Sequence, residues 1–110
     1  MGSIAMDESG DMALGFSRSS TSINPHIAWT GRLVSDPLGS MGQGESTIVS
    51  GGGAQTNNSH APGNRWGDYS SMNIDPTDGC TFWYTNEYLT TNGTFNWHTR
   101  IGNFKVNGCQ

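Results

Sequence analysis

An all-β chain is what this sequence predicts, and three observations predict it. The first is alternation. From Cys80 to Tyr88, Cys80, Phe82, Tyr84 and Tyr88 share one parity, and Thr81, Trp83, Thr85 and Glu87 the other. Period two, with aromatic and β-branched residues, is the pattern of a strand. The second is punctuation. Asp75-Pro76-Thr77-Asp78-Gly79 reads as a turn, since Pro presets φ and Gly tolerates a positive one. Asn92-Gly93 is the strongest short hairpin signal. The third is that no window sustains a helical apolar period, so little or no helix is expected.

Taken in order, residues 3–7, 12–18 and 27–34 form a first meander, with Ile27, Trp29 and Leu33 on one parity. Residues 35–40 are loop. Glu45 to Ser50 has a β-branched centre and suits a fourth, outer strand. Residues 51–64 hold no large apolar side chain and read as a long, mobile surface loop, with an ordered binding loop as the other reading. A second meander follows. It has an extended first strand from Trp66 to Ile74, then strands 80–88 and 95–106, and no fourth.

The two meanders resemble each other. Ser3, Asp7, Asn24, Trp29 and Arg32 recur without gaps as Ser71, Asp75, Asn92, Trp97 and Arg100. The identities are few, but the placement argues for a repeat. Both copies turn at one point, Met12, Leu14 and Phe16 sit opposite Cys80, Phe82 and Tyr84, and the third strand of each carries Trp-x-x-Arg. A recurring meander suits stacked or radially arranged units. The expectation is two antiparallel meanders resembling β-propeller blades, with a small β-sandwich as the alternative. Residues 1–110 form one domain: a first blade-like repeat (1–50), the loop (51–64) and a second repeat (65–110). Trp29 and Trp97, recurring together, are expected in the core. Arg32 and Arg100 are expected to make a structural contact between units.

Charged residues are only 13% of the chain and aromatics 10%. Disorder from high net charge is therefore excluded, and a core has its anchors. Net charge is −4, and the five basic residues are scattered, which excludes a nucleic-acid patch. No segment is long and apolar enough to span a membrane. Met1 to Ala5 lacks the basic start and apolar run of a signal peptide.

Asp7 to Ser17, Arg65 to Ser70 (Arg-Trp-Gly-Asp-Tyr-Ser) and Asp78 to Tyr88 together resemble the repeat region of large extracellular bacterial proteins that are like sialidase-type β-propellers. Arg65 to Ser70 is the most specific part. The resemblance implies a propeller-like architecture and a secreted or cell-surface setting, and it implies no established activity. The Asp-box of sialidase-like propellers runs Asp-x-Gly-x-Thr-Trp. Here Asp78-Gly79 lacks the spacer and Asp7-Glu8-Ser9-Gly10 is one residue longer.

The candidate chemistry is sparse. Cys80 and Cys109 are expected to form a disulfide, from an even Cys count in an exported β protein. His26, His60 and His98 lack metal spacing, so neither a metal nor a cofactor is implied. Arg65, Arg100, Tyr69, Asp68 and Glu87 contain the residue types of a sialidase site, and His98 stands beside them as a candidate binding residue. Nothing in their spacing shows convergence, and Asp68 also reads as a backbone-binding corner residue. Trp83 is either packed against a neighbouring sheet or exposed as a stacking platform. The function expected is a non-catalytic recognition or scaffold module for a glycan or protein. The alternative is a fragment of a sialidase-like glycan hydrolase. Two units cannot close a ring, so a homo-oligomer is expected, a trimer or a dimer. Its contact would use the strand faces carrying Trp83 and Arg32 or Arg100.

Overall fold

Seven strands form two antiparallel sheets in the structure, a computed structural model that describes residues 1–56 and 66–109. The first sheet holds β1 (Ser3–Met6), β2 (Met12–Arg18), β3 (His26–Arg32) and β4 (Glu45–Val49), in that order. The second holds β5 (Ser71–Ile74), β6 (Phe82–Leu89) and β7 (Trp97–Phe104), also in order. No helix occurs among the described residues. Each sheet is a meander, as the alternation requires, and Glu45–Val49 does add a fourth, outer strand to the first.

The turns are built by Asp. In the first, the backbone N–H groups of Ser9 and Asp11 donate to one Asp7 carboxylate oxygen, and Gly10 sits at φ +88°. In the second, Asp75 accepts the Thr77 N–H and hydroxyl, and Asp78 accepts the N–H groups of Cys80 and Thr81. Such side-chain acceptors satisfy amides that the strand ladders leave unpaired. The Asn92-Gly93 hairpin is not a tight two-residue turn. Residues 90–96 connect β6 to β7, because Gly93 exchanges hydrogen bonds with the backbone of Ala54 and Thr56.

That exchange also corrects the expected mobile loop. Its first part, residues 51–56, is pinned to the second sheet. Gly52 and Gly53 both donate to the Leu89 carbonyl, and Gln55 forms a parallel bridge with Gly93. The anchor is mainly backbone, helped by the Asn92 and Thr94 side chains, and a Cβ on Gly53 would lie 2.0 Å from the Thr91 carbonyl carbon. Only glycine allows that approach. Residues 57–64, and His60 with them, lie outside the described residues.

The two sheets pack face to face. Ala13 and Ile27 from the first meet Met72, Phe82 and Tyr84 from the second, with Val106 completing the cluster. Tyr84 lies directly over Gly15, and the Trp29 ring stacks on Phe104 at 3.8 Å. Asn86, fully buried, donates to the Tyr84 hydroxyl and across the sheets to Ser17. The meanders lie in the same sense. Ser70 and Met72 donate to Met1 and Ser3 at the start of β1, and Glu8 donates to Gly79 where both first turns meet.

Equivalent strands therefore stack in the same direction, and non-equivalent faces meet. The ranks Ser3–Gly15–Trp29 and Ser71–Thr85–Ile101 correspond in register. The structural partner of Trp29 is thus Ile101, not Trp97. The gapless alignment slips twice: the connection 75–81 is two residues longer than 7–11, and the hairpin path from Thr85 to Ile101 is two residues longer than that from Gly15 to Trp29. Trp97 is accordingly not a core residue; it is 38% exposed beside Leu89 at the end of the sheet. Arg32 and Arg100 are not equivalent either. Arg32 pairs with Met12 and donates to the Asp36 carbonyl in its own loop, whereas Arg100 is exposed opposite Asn86.

Cys80 and Cys109 form the expected disulfide, Cα–Cα 5.6 Å, tying the entry of β6 to the C-terminal tail. Closing a loop of this size contributes about 3–4 kcal/mol in the chain-entropy model.

Candidate functional site

Trp66, Gly67, Asp68 and Tyr69 precede β5 and run across one end of the second sheet. The turn at Gly67, φ +61°, brings them there. Its N–H donates to a Glu87 carboxylate oxygen at 2.5 Å, and its carbonyl accepts the Met1 ammonium at 3.0 Å. A side chain at that φ would be strained, which favours Gly there. Glu87 projects from the face of β6 that also carries Trp83 and Thr85, away from the first sheet.

Clefts adjoin this segment. Trp66 to Tyr69, Glu87 and Trp97 enclose about 170 Å³. Met1 with Trp66 to Tyr69 bounds about 280 Å³ on its other side. A third hollow, about 420 Å³, is lined by residues 19–25, Ala54, Gln55 and Trp66. Gln55 holds both side-chain amide atoms buried without a hydrogen-bond partner among the described residues. Tyr69 is 82% exposed, and Phe95 meets the Trp97 ring edge-on at 5.8 Å.

The structure thus gathers Asp68, Tyr69 and Glu87 from the sequence-predicted set. It adds Trp66 and Trp97, which sequence reasoning did not assign to a site. Trp66 stood inside the Arg-Trp-Gly-Asp-Tyr-Ser run, and that was its signal. Trp97 gave none, since the false register placed it in the core. Arg65 lies outside the described residues. His98 and Arg100 do not join the cleft: they pair with Tyr88 and Asn86, on the strand face that carries Gly102 and Phe104. His98 meets the Tyr88 ring at 6.0 Å.

Trp83 stands apart on the outer face of β6, 39% exposed, its indole N–H donating to Asp75 at 3.2 Å. The Thr77 hydroxyl first, then the Thr77 N–H and this indole, hold the Asp75 carboxyl below its usual range. For Asp78 the Thr81 hydroxyl leads, followed by the Cys80 and Thr81 amides, and the depression is stronger. Both are turn-building carboxylates.

Chemically, the cleft offers aromatic faces and carboxylate acceptors. An indole or phenol ring covers the apolar face of a flat ligand, and carboxylate oxygens accept hydrogen bonds from its hydroxyls. No group of three His, Cys, Asp or Glu side chains among the described residues gathers as a metal site. His26 accepts the Gly51 N–H through Nδ1, a structural role. Comparison of the chain with family models, curated proteins and solved structures finds no match.

Proposed function

We propose that the chain is a non-catalytic recognition module of β-propeller type, taking a neutral glycan in the cleft between Trp66, Tyr69 and Trp97. The observation that carries this reading is the composition of that cleft: three aromatic rings beside Asp68 and Glu87. A polyhydroxylated ring suits it, stacking its C–H face on an indole while its hydroxyls donate to the acids. A sialic acid suits it less, because Asp68 and Glu87 line the cleft and the chain is acidic. The same-sense stacking of the two meanders supports the blade-type reading, which oligomerisation would complete. The disulfide supports an exported setting, secreted or at the cell surface.

Titration calorimetry against a panel of neutral oligosaccharides tests it. We expect binding that Tyr69→Ala or Trp97→Ala weakens by about tenfold, the loss of one stacking contact. Absence of binding across the panel, or indifference to both variants, would overturn the assignment. Turnover of fluorogenic glycosides, abolished by Tyr69→Phe or Glu87→Gln, would replace it with the hydrolase reading.

A further inference from the structure

The first sheet leaves an apolar face uncovered. Ile4 and Met6 of β1 are 57% and 52% exposed, and Met12, Leu14 and Phe16 of β2 are half-buried on the same side. A groove of about 340 Å³ runs between Ile4, Met6 and Met12. Contiguous apolar surface of this kind marks an interaction site.

Its occupant can be read from the rest of the chain. In register, Ile4, Met6, Met12 and Leu14 correspond to Met72, Ile74, Phe82 and Tyr84 of the second sheet. Those four form the face that packs onto the first sheet, and Met72, Phe82 and Tyr84 are buried there. What covers them is the opposite face of the first sheet, with Ala13, Gly15, Ile27 and Trp29. The second sheet has its own version of that covering face: Trp83 stands for Ala13, Thr85 for Gly15 and Ile101 for Trp29. It too is open, with Trp83 39% and Ile101 62% exposed.

Sizes compensate across this second pairing. Within the chain, Phe82 and Tyr84 meet small Ala13 and Gly15. Between copies, the smaller Met12 and Leu14 would meet the larger Trp83 and Thr85. Close packing needs that balance of volumes. We infer that copies of this chain stack head to tail, the Trp83–Ile101 face of one copy covering the Ile4–Met6–Leu14 face of the next. The inference rests on the blade-type reading. Such a contact is heterologous, and it forms a ring where the rotation between units closes. Rings of four to eight blades are the usual closures, so two sheets per copy give about two to four copies. A trimer of six sheets is the expected state, and a dimer the smaller closure.

Sedimentation equilibrium at tens of micromolar decides it. Wild type should sediment as the closed ring. Ile4→Glu and Ile101→Glu, both at exposed positions, should each reduce it to monomer with an unchanged near-ultraviolet spectrum. Mixed together, the two variants should form a complex of two and nothing larger, because only one intact face remains on each. A wild-type monomer would overturn the inference and leave the face to a different protein. Assembly unaffected by Ile101→Glu, or no pair from the mixture, would overturn the head-to-tail pairing. Oligosaccharide titration of the Ile4→Glu monomer separates the two readings: binding retained there leaves the recognition function standing when assembly fails. Assembly without binding in any form removes the glycan assignment alone.

Discussion

Asn86 shows how much one side chain can hold. It is 1% exposed, and its amide donates at 2.9 Å to the Tyr84 hydroxyl and at 3.1 Å to Ser17 of the other sheet. Asn86→Ala removes both bonds from a buried site and should cost about 1–3 kcal/mol. Urea unfolding with an unchanged slope would report it. Gly15 is constrained from the other side: a Cβ there would lie 2.4 Å from the Tyr84 ring. Gly15→Ala should lose about 1–3 kcal/mol by overpacking. Of the two depressed turn acids, Asp78 carries the stronger pH dependence. Its folded carboxyl is held well below the usual range by Thr81 and two amides. A depressed acid contributes stability above its unfolded pKa, about 3.9, and loses it as pH falls toward the folded value. The thermal advantage of wild type over Asp78→Asn should therefore be full near neutrality and shrink below about pH 4. An advantage that grew in acid would contradict the turn geometry.

At the scale of elements, the disulfide and the glycine run each pin a segment that has few apolar anchors. Replacing Cys80 and Cys109 with Ser should cost about 3–4 kcal/mol, read as a lower unfolding midpoint in non-reducing buffer. The run Gly51-Gly52-Gly53 replaces side-chain packing with backbone hydrogen bonds to Leu89. Amide exchange at Gly52, Thr56 and Gly93 should be protected like that of strand residues. Exchange at the rate of an open loop would undo the anchoring. The strand β6 was legible because Cys80, Phe82, Tyr84 and Tyr88 alternate with Thr81, Trp83, Thr85 and Glu87. The Asn92-Gly93 connection was misread because a tight turn and a wide one share the same two residues. What opens the turn is Ala54 and Thr56 arriving from elsewhere.

On the scale of the whole molecule, two like sheets pack through unlike faces. Burial follows: Ala13 and Gly15 are buried where Trp83 and Thr85 are not, and Phe82 and Tyr84 where Met12 and Leu14 are not. A two-fold sandwich would bury equivalent faces against each other. The same-sense arrangement instead leaves the Ile4–Leu14 face of the first sheet and the Trp83–Ile101 face of the second open at opposite ends, and that is why the assembly experiment bears on the fold as well as on the oligomer. The cleft at Trp66 to Tyr69 lies beyond β6 at one end of the second sheet, next to the Trp83 face. A ligand in that cleft and a second copy on the Trp83 face would therefore approach the same side of the chain.

Alternation, Asp-rich turns and the absence of a helical period were enough, from the residues alone, to determine an all-β chain of two meanders. Those signals are local: a side chain's parity and a turn's φ depend only on near neighbours. The Cys80–Cys109 pairing was legible too, since the chain holds two cysteines and no others. Tertiary structure alone decided the register of the repeat, moving the partner of Trp29 from Trp97 to Ile101 through two extra residues in the first turn and two more in the second hairpin. It alone decided which face of each sheet is buried, and it brought Trp66, Tyr69, Glu87 and Trp97 into one cleft while leaving Arg100 and His98 on the far face. Those outcomes depend on residues distant in sequence meeting across strands, and a one-residue change of register moves a side chain to the other face of its sheet.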